Sequence, residues 1–146
     1  MTPSVGTLTA AFYKGRTRLF NRAVSWWDSG PYSHCELEFS DGLSGSSSFL
    51  DGGVRLKHIV YDPEHWDRFT ILADVDYARQ WFVDHDGWKY DVRGDIWFVL
   101  GSPVGVSTNK VFCSSAFMSA LQFPDSWRFT PNTARAAIDP LILGRL

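Results

Sequence analysis

The sequence lacks the features that mark several large classes of protein. Its 146 residues carry a net charge of −2 with no run of Lys or Arg, so neither a nucleic-acid partner nor a polybasic membrane anchor is expected. Residues 1–11 show no basic segment followed by an apolar core, so no signal peptide is expected and the predicted location is cytoplasmic. The longest apolar runs, such as residues 96–100, are too short to span a bilayer, and no stable membrane insertion is expected.

Cysteine is scarce, with only Cys35 and Cys113 in the chain. Without an export signal a structural disulfide between them is not expected. CxxC and HExxH motifs are absent, and the adjacent His34 and Cys35 would point to opposite faces of a regular strand, so they cannot share one metal ion. No glycine-rich phosphate-binding loop occurs either. The sequence therefore predicts neither a metal nor any other cofactor.

Aromatic residues, in contrast, are abundant at 16% of the chain, including seven Trp. Such side chains fill hydrophobic cores or line clefts that hold extended or flat ligands. The length suits one domain with one core, and no repeat, linker or low-complexity segment interrupts it. Residues 1–146 are therefore interpreted as a single domain.

The apolar pattern predicts a short antiparallel sheet followed by helices, which is an α+β fold. Strands are predicted at residues 33–40, 46–50, 54–61 and 68–73, and residues 1–15 are predicted to be irregular or partly extended. Helices are predicted at residues 16–27, 75–86, 90–100, 113–123 and 131–138. Asp74 is a candidate N-cap for the helix at 75–86, and Thr130, followed by Pro131, for the last helix.

Cys113 stands at the start of a predicted helix whose apolar stripe includes Ala116 and Phe117. The partial positive charge at a helix N-terminus favours a thiolate. The small neighbours Ser114 and Ser115 leave room beside the thiol, and backbone N–H groups near Cys113 can donate to an oxyanion. A buried cysteine of the hydrophobic core is the alternative interpretation.

His34 begins the predicted strand at 33–40, whose opposite face is apolar. It shares its own face with Glu36 and Glu38, polar neighbours that can set the tautomer of the imidazole. An imidazole in this place can accept the proton of a thiol and return it, which with Cys113 is the minimum equipment of a cysteine hydrolase or acyltransferase. A purely structural histidine is the alternative.

A third group is needed to orient the imidazole. The second predicted strand offers Ser46 and Ser48 on one face, but a hydroxyl carries no charge and stabilises an imidazolium weakly. Asp51 is the charged alternative. It precedes two glycines, and we interpret it as an aspartate of a simple turn.

At these positions the chain resembles the circularly permuted branch of the NlpC family of papain-like cysteine amidases and peptidases, the YiiX-like group. The matching segments are Tyr32-Ser33-His34-Cys35-Glu36-Leu37, Ser48-Phe49-Leu50-Asp51-Gly52-Gly53-Val54-Arg55, Gly87-Trp88-Lys89-Tyr90-Asp91, Phe112-Cys113-Ser114-Ser115 and Phe129-Thr130-Pro131-Asn132. The histidine precedes the cysteine, which is the reverse of the order in papain. The resemblance covers residues 10–138.

The resemblance implies a papain-like, permuted NlpC-type fold, in which a small antiparallel sheet or half-barrel packs on a core helix that carries the cysteine. It implies that Cys113 is the nucleophile and His34 the general base. Ser48 takes the third polar position, where relatives often carry Glu or His. Tyr32 and Tyr90 lie in matched segments and are expected to line the substrate cleft.

The expected function is hydrolysis of an amide bond in a peptide or a peptidoglycan stem peptide. Small members of this type are often encoded by phages, so delivery by lysis or by a phage particle is compatible with the expectation that the chain has no signal peptide. Two alternatives stay open. One is a non-catalytic papain-like binding or structural module, and the other is a lipid thioester acyltransferase or hydrolase of the same fold.

Overall fold

The computed structural model describes residues 2–15, 30–90 and 112–146. Within these segments the chain forms a six-stranded antiparallel sheet and three α-helices. The strands are β1 (Val5–Tyr13), β2 (His34–Glu38), β3 (Leu43–Ser48), β4 (Gly53–His58), β5 (Trp66–Asp74) and β6 (Ile142–Arg145). The helices are α1 (Val75–Asp84), α2 (Cys113–Ala120) and α3 (Pro131–Ala137). The strand order is β4-β3-β2-β1-β5-β6, and the predicted α+β class is confirmed.

The largest correction concerns residues 1–15, for which the sequence pattern predicts irregular or partly extended chain. They instead contain β1, a regular strand inside the sheet that pairs with β2 on one side and with β5 on the other. Ala10, Ala11 and Phe12 are all fully buried, so this part of the strand is covered on both faces. A strand covered in this way shows no alternation of polar and apolar residues, which is why the pattern did not reveal it.

The remaining described strands and helices lie close to their predicted positions, with ends shifted by a few residues. β6 is a further strand that the sequence pattern does not predict, and it adds to the sheet beside β5. The predicted helix at residues 16–27, and nearly all of that at residues 90–100, lie outside the described residues.

Two predicted helix caps are confirmed. The Asp74 carboxylate accepts the Tyr77 backbone N–H at 3.1 Å, which satisfies one free donor at the start of α1. Thr130 caps α3 through a reciprocal pair of hydrogen bonds with Thr133, and Pro131 occupies the first turn. None of the helices within the described segments is long and apolar enough to cross a lipid bilayer.

The helices cover one face of the sheet, and α2 is the most deeply buried of them. Seven residues of α2 are buried, among them Cys113 and Phe117. This is the burial expected of a helix that other elements of the fold surround. α1 packs beside it through Ala78 and Phe82. A Cβ atom on Gly45 of β3 would lie 2.4 Å from the Phe82 ring, so only glycine allows α1 this close to the sheet. The core thus fixes the position of the helix that begins with Cys113.

Candidate active site

Strand β2 and helix α2 bring the two predicted catalytic side chains together. His34 is the first residue of β2 and Cys113 is the first residue of α2. The Cys113 side chain makes a hydrogen bond with the His34 imidazole. Cys113 is 4% exposed to solvent, whereas the His34 side chain is 22% exposed. The pair therefore lies at the margin of the core rather than in its centre.

The sulfur of Cys113 lies in surroundings that favour the thiolate. The Cys35 thiol donates a hydrogen bond to it and lowers its pKa; burial acts in the opposite direction, and the positive charge of His34 and the Cys35 backbone N–H lower the pKa further. The net effect holds the pKa of Cys113 well below its ordinary value. The first intrahelical hydrogen bond of α2 comes from Ala116, so the backbone N–H groups before it have no acceptor within the helix.

The other ring nitrogen of His34 is held by a carboxylate. His34 Nε2 lies 2.7 Å from Glu36 Oε1. Because a carboxylate only accepts hydrogen bonds, Nε2 carries a proton, and Nδ1 is the ring nitrogen left to exchange a proton with the thiol. Burial alone would lower the pKa of His34. The Cys113 thiolate and the hydrogen bonds to Cys113 and Glu36 outweigh it and raise the pKa to about 10.

Glu36 is one of the most buried charged residues of the described chain, with a side chain that is 1% exposed. Arg55 meets it with a bidentate pair, Nη1 to Oε2 at 2.7 Å and Nη2 to Oε1 at 2.6 Å. Burial would raise the pKa of Glu36, but the hydrogen bonds from Arg55 and His34 lower it on balance. A buried carboxylate that stays ionised beside an imidazole stabilises the imidazolium.

The ion pairs continue from Arg55 toward the surface. Arg55 Nε donates to Asp51 Oδ2 at 2.8 Å, and Lys57 Nζ donates to Asp51 Oδ1 at 2.6 Å. Asp51 is therefore more than the simple turn aspartate that its two glycine neighbours suggest. It binds Arg55 through Nε, while Nη1 and Nη2 bind Glu36.

A cluster of aromatic side chains lies beside the imidazole on the same face of the sheet. The Trp66 ring meets the His34 ring edge-on, with centroids 6.2 Å apart. Tyr13 and Tyr61 pack against Trp66 at 5.1 and 4.9 Å, and the Tyr61 hydroxyl pairs with the Ser44 hydroxyl at 2.7 Å. These contacts hold the Trp66 ring beside the imidazole.

The first turn of α3 and the residues just before it hold both halves of the site. The Asn132 side chain accepts from the Tyr32 backbone N–H and donates to the Tyr32 carbonyl, both at 3.0 Å. The Ser114 hydroxyl donates to the Phe129 carbonyl at 2.6 Å. A Cβ atom on Gly30 would lie 2.3 Å from Asn132, so the chain before β2 can approach this closely only as glycine. The strand of His34 and the helix of Cys113 are thus tied to one support.

Ser48, predicted as the third polar residue, lies at the end of β3 opposite Gly53. In the described part of the chain, the hydrogen bonds of the His34 ring go to Glu36 and Cys113, and none joins it to Ser48. The geometry therefore gives Glu36 the orienting position.

Tyr32 and Tyr90, predicted to line the cleft, have identifiable contacts of another kind. The Tyr32 hydroxyl donates to Asp67 Oδ2 at 2.6 Å, and burial together with this carboxylate raises the pKa of Tyr32 to about 12. The Tyr90 ring meets the Phe49 ring edge-on at 6.1 Å. Their place in a substrate cleft stays a prediction.

Sequence reasoning named Glu36, with Glu38, as a polar neighbour of His34 but gave the orienting position to Ser48, and it did not predict a role for Arg55. The signal for Glu36 was present, since alternation along a strand puts it on the face of His34. No comparable signal joins Arg55 to Glu36, because β4 reaches β2 only across β3 and that pairing depends on register.

Within the described segments, one group of potential metal ligands is formed by residues other than His34, Glu36 and Cys113. The ligand atoms of Asp62, Glu64 and His65 lie within 4.8 Å of one another in an exposed turn. Both Asp62 oxygens already serve the turn, since one accepts the Glu64 backbone N–H at 2.9 Å and the other lies 2.8 Å from His65 Nδ1. These contacts explain the cluster without an ion.

Comparison with models of known protein families gives no match for this chain, and comparison with curated proteins gives none either. The assignment of function therefore depends on the side chains themselves. Their arrangement joins a thiol, an imidazole and a buried carboxylate in series, which is a combination known to support nucleophilic catalysis.

Proposed function

We propose that the protein is a cysteine hydrolase that cleaves an amide bond, with Cys113 as nucleophile and His34 as general base and acid. The observation that carries the proposal is the hydrogen-bonded series Cys113, His34, Glu36. A buried structural cysteine needs neither an imidazole partner nor a lowered pKa. A histidine whose second nitrogen is held by a buried carboxylate is the arrangement that general acid–base chemistry requires.

In the proposed reaction the Cys113 thiolate attacks the amide carbonyl and forms a tetrahedral intermediate. The backbone N–H groups at the start of α2 donate to the oxyanion. The His34 imidazolium protonates the leaving amine, and the ring then accepts a proton from the water that releases the acyl group from Cys113. Glu36 stabilises the imidazolium and keeps Nδ1 directed at the sulfur.

The proposed fold class is a circularly permuted papain-like domain of NlpC type. In support, the histidine strand precedes the cysteine helix in the chain, and the antiparallel sheet packs on the helix that carries Cys113. The proposed substrate is a peptide, in the first instance a peptidoglycan stem peptide, since these are the bonds that the resembling family cleaves.

The test is alkylation of Cys113 by iodoacetamide as a function of pH, together with turnover of a peptide-amide panel. We expect alkylation faster than that of free cysteine at pH 6 to 7, because the pKa of Cys113 is lowered. Turnover is expected to fall as the pH rises through about 10, where His34 loses the proton that the leaving amine needs.

The matched variants are Cys113→Ala and Cys35→Ala, which remove one thiol each. Cys113→Ala should lower turnover by about 10⁴-fold or more. Alkylation at position 113 should be absent in this variant. A Cys113 thiol no more reactive than free cysteine would indicate the non-catalytic module instead. Turnover confined to lipid thioesters would indicate the acyltransferase alternative.

A further inference from the structure

Cys35 is a buried nucleophilic group that the proposed reaction does not consume. It lies on the helix-covered side of β2, is fully buried, and both it and Cys113 are free thiols. Its thiol donates a hydrogen bond to the Cys113 sulfur, and its backbone N–H does the same. The two side chains are therefore neighbours where α2 begins over β2.

We propose that Cys113 and Cys35 form a reversible oxidation site, in which a hydroperoxide oxidises Cys113 and Cys35 then closes a disulfide that blocks the nucleophile. The effect on turnover rests on the proposed function, whereas formation of the disulfide does not. The ligand class is a small hydroperoxide, with hydrogen peroxide as the simplest member. A dithiol reductant restores both thiols.

The first step joins a peroxide oxygen to the Cys113 sulfur. The thiolate attacks one oxygen, an S–O bond forms, the O–O bond breaks, and hydroxide leaves. The sulfur becomes a sulfenic acid and is oxidised by two electrons, while the peroxide is reduced. His34, next to the sulfur, can supply the proton that turns the leaving hydroxide into water.

The second step uses the neighbouring thiol. The Cys35 sulfur attacks the sulfenic sulfur, an S–S bond forms, the S–O bond breaks, and the departing hydroxide takes the Cys35 proton to leave as water. Burial and the charge of the Cys113 thiolate keep the pKa of Cys35 high in the reduced protein. Oxidation of Cys113 removes that negative charge and so makes Cys35 a better nucleophile at the stage when it is needed.

Substitution of Cys35 can distinguish a thiol that forms a disulfide from a group that only donates a hydrogen bond. A hydroxyl at position 35 would also donate to the Cys113 thiolate, but it cannot form a disulfide. Without a resolving thiol, a sulfenic acid at Cys113 is expected to proceed to sulfinic and sulfonic acids, which thiol reductants do not reverse. Cys35→Ser is therefore the informative variant.

The experiment treats the whole protein with hydrogen peroxide and measures intact mass before and after dithiothreitol. Wild type is expected to lose the mass of two hydrogen atoms and both free thiols, and unreduced peptide mapping should join the peptides of Cys35 and Cys113. Dithiothreitol should restore the mass and the turnover. Cys35→Ser, compared with its own untreated sample, should gain two or three oxygen atoms and lose turnover irreversibly.

The outcomes separate the two proposals. A disulfide that forms in a protein without measurable turnover would support the oxidation site and overturn the hydrolase. Wild type that remains a dithiol, or passes directly to the higher oxygen adducts, would overturn the oxidation site even if turnover is present. If Cys35→Ser does not fold, Cys113→Ser serves as the variant, and it should form no disulfide under the same treatment.

Discussion

The two faces of the sheet are built from alternate residues of the same strands but are held by different forces. The face toward the helices is apolar: Phe12 and Leu37 of the strands are fully buried there, as is Phe117 of α2. The other face buries a bidentate ion pair between Glu36 and Arg55. The first face gains stability from the area it removes from water, whereas the second depends on paired charges in one geometry.

Strand β2 contributes to both faces at once, and the difference shows how the site is divided. Cys35 points to the helices and contacts Cys113, while Glu36 points away and contacts His34. His34, at the end of the strand, contacts members of both sides. The helix face therefore positions Cys113, and the charged face sets the protonation of His34.

The largest expected effect is on the charged face, with Glu36→Gln. The amide keeps the shape of the carboxylate but removes the charge that stabilises the His34 imidazolium, so kcat/KM should fall by about 10²- to 10⁴-fold. The pKa of His34 should fall with it, which moves the alkaline limb of the pH profile to lower pH. Ser48→Ala is the control and should change kcat/KM far less. Equal losses in the two variants would return the orienting role to Ser48.

On the helix face, Phe117→Ala should act on stability rather than on protonation. The ring is fully buried and contacts the Phe12 ring at a centroid distance of 5.4 Å, so its removal should lower the free energy of unfolding by about 3–5 kcal/mol. Urea denaturation measures this loss. At a temperature where the variant is folded, its pH profile should match wild type; a shifted alkaline limb would show that the two faces are not separable.

Arg55→Met should lower the free energy of unfolding by about 2–3 kcal/mol, because it leaves Glu36 buried without its principal partner. This is below the loss for a fully buried pair, since the Arg55 side chain keeps 12% exposure and water can replace part of the contact. The double variant Glu36→Met/Arg55→Met should recover stability in urea but not turnover. Recovery of both would mean that the ion pair serves only the fold.

The smallest effect belongs to the exposed end of the ion pairs. Lys57 is 44% exposed in its contact with Asp51, so Lys57→Ala should change the free energy of unfolding by less than about 0.5 kcal/mol, and less still in high salt. Thermal unfolding at low and high ionic strength measures this. A loss as large as that of Arg55→Met would show that the whole series of ion pairs acts as one unit.

Local patterns in the sequence were sufficient to predict the parts of the structure that depend on residues close together in the chain. The helix that begins at Cys113, the strand that begins at His34 and the caps at Asp74 and Thr130 all follow from residues a few positions apart. β1 was not predicted because the consecutive buried residues Ala10 to Phe12 do not alternate.

The contact between Glu36 and Arg55 shows why the rest of the site could not be predicted. It spans 19 positions and depends on the register of three strands, and a slip by one residue would turn either side chain to the opposite face. Alternation alone placed Glu36 beside His34, but a hydroxyl and an amide would satisfy the same pattern. The bidentate contact with Arg55 is what allows the Glu36 carboxylate to stay charged while it is buried.

The two hydrogen bonds of Asn132 to the Tyr32 backbone join positions 100 residues apart. Contacts of such sequence separation are expected to form slowly, because closing the long loop between them costs chain entropy before the contact stabilises the fold. During synthesis, Cys113 and His34 are both made before Phe129 and Asn132, the residues that hold their helix and their strand. The contact between Cys113 and His34 is therefore expected to form only in a chain that has been completed through Asn132, so that unfinished chains would lack the lowered pKa of Cys113.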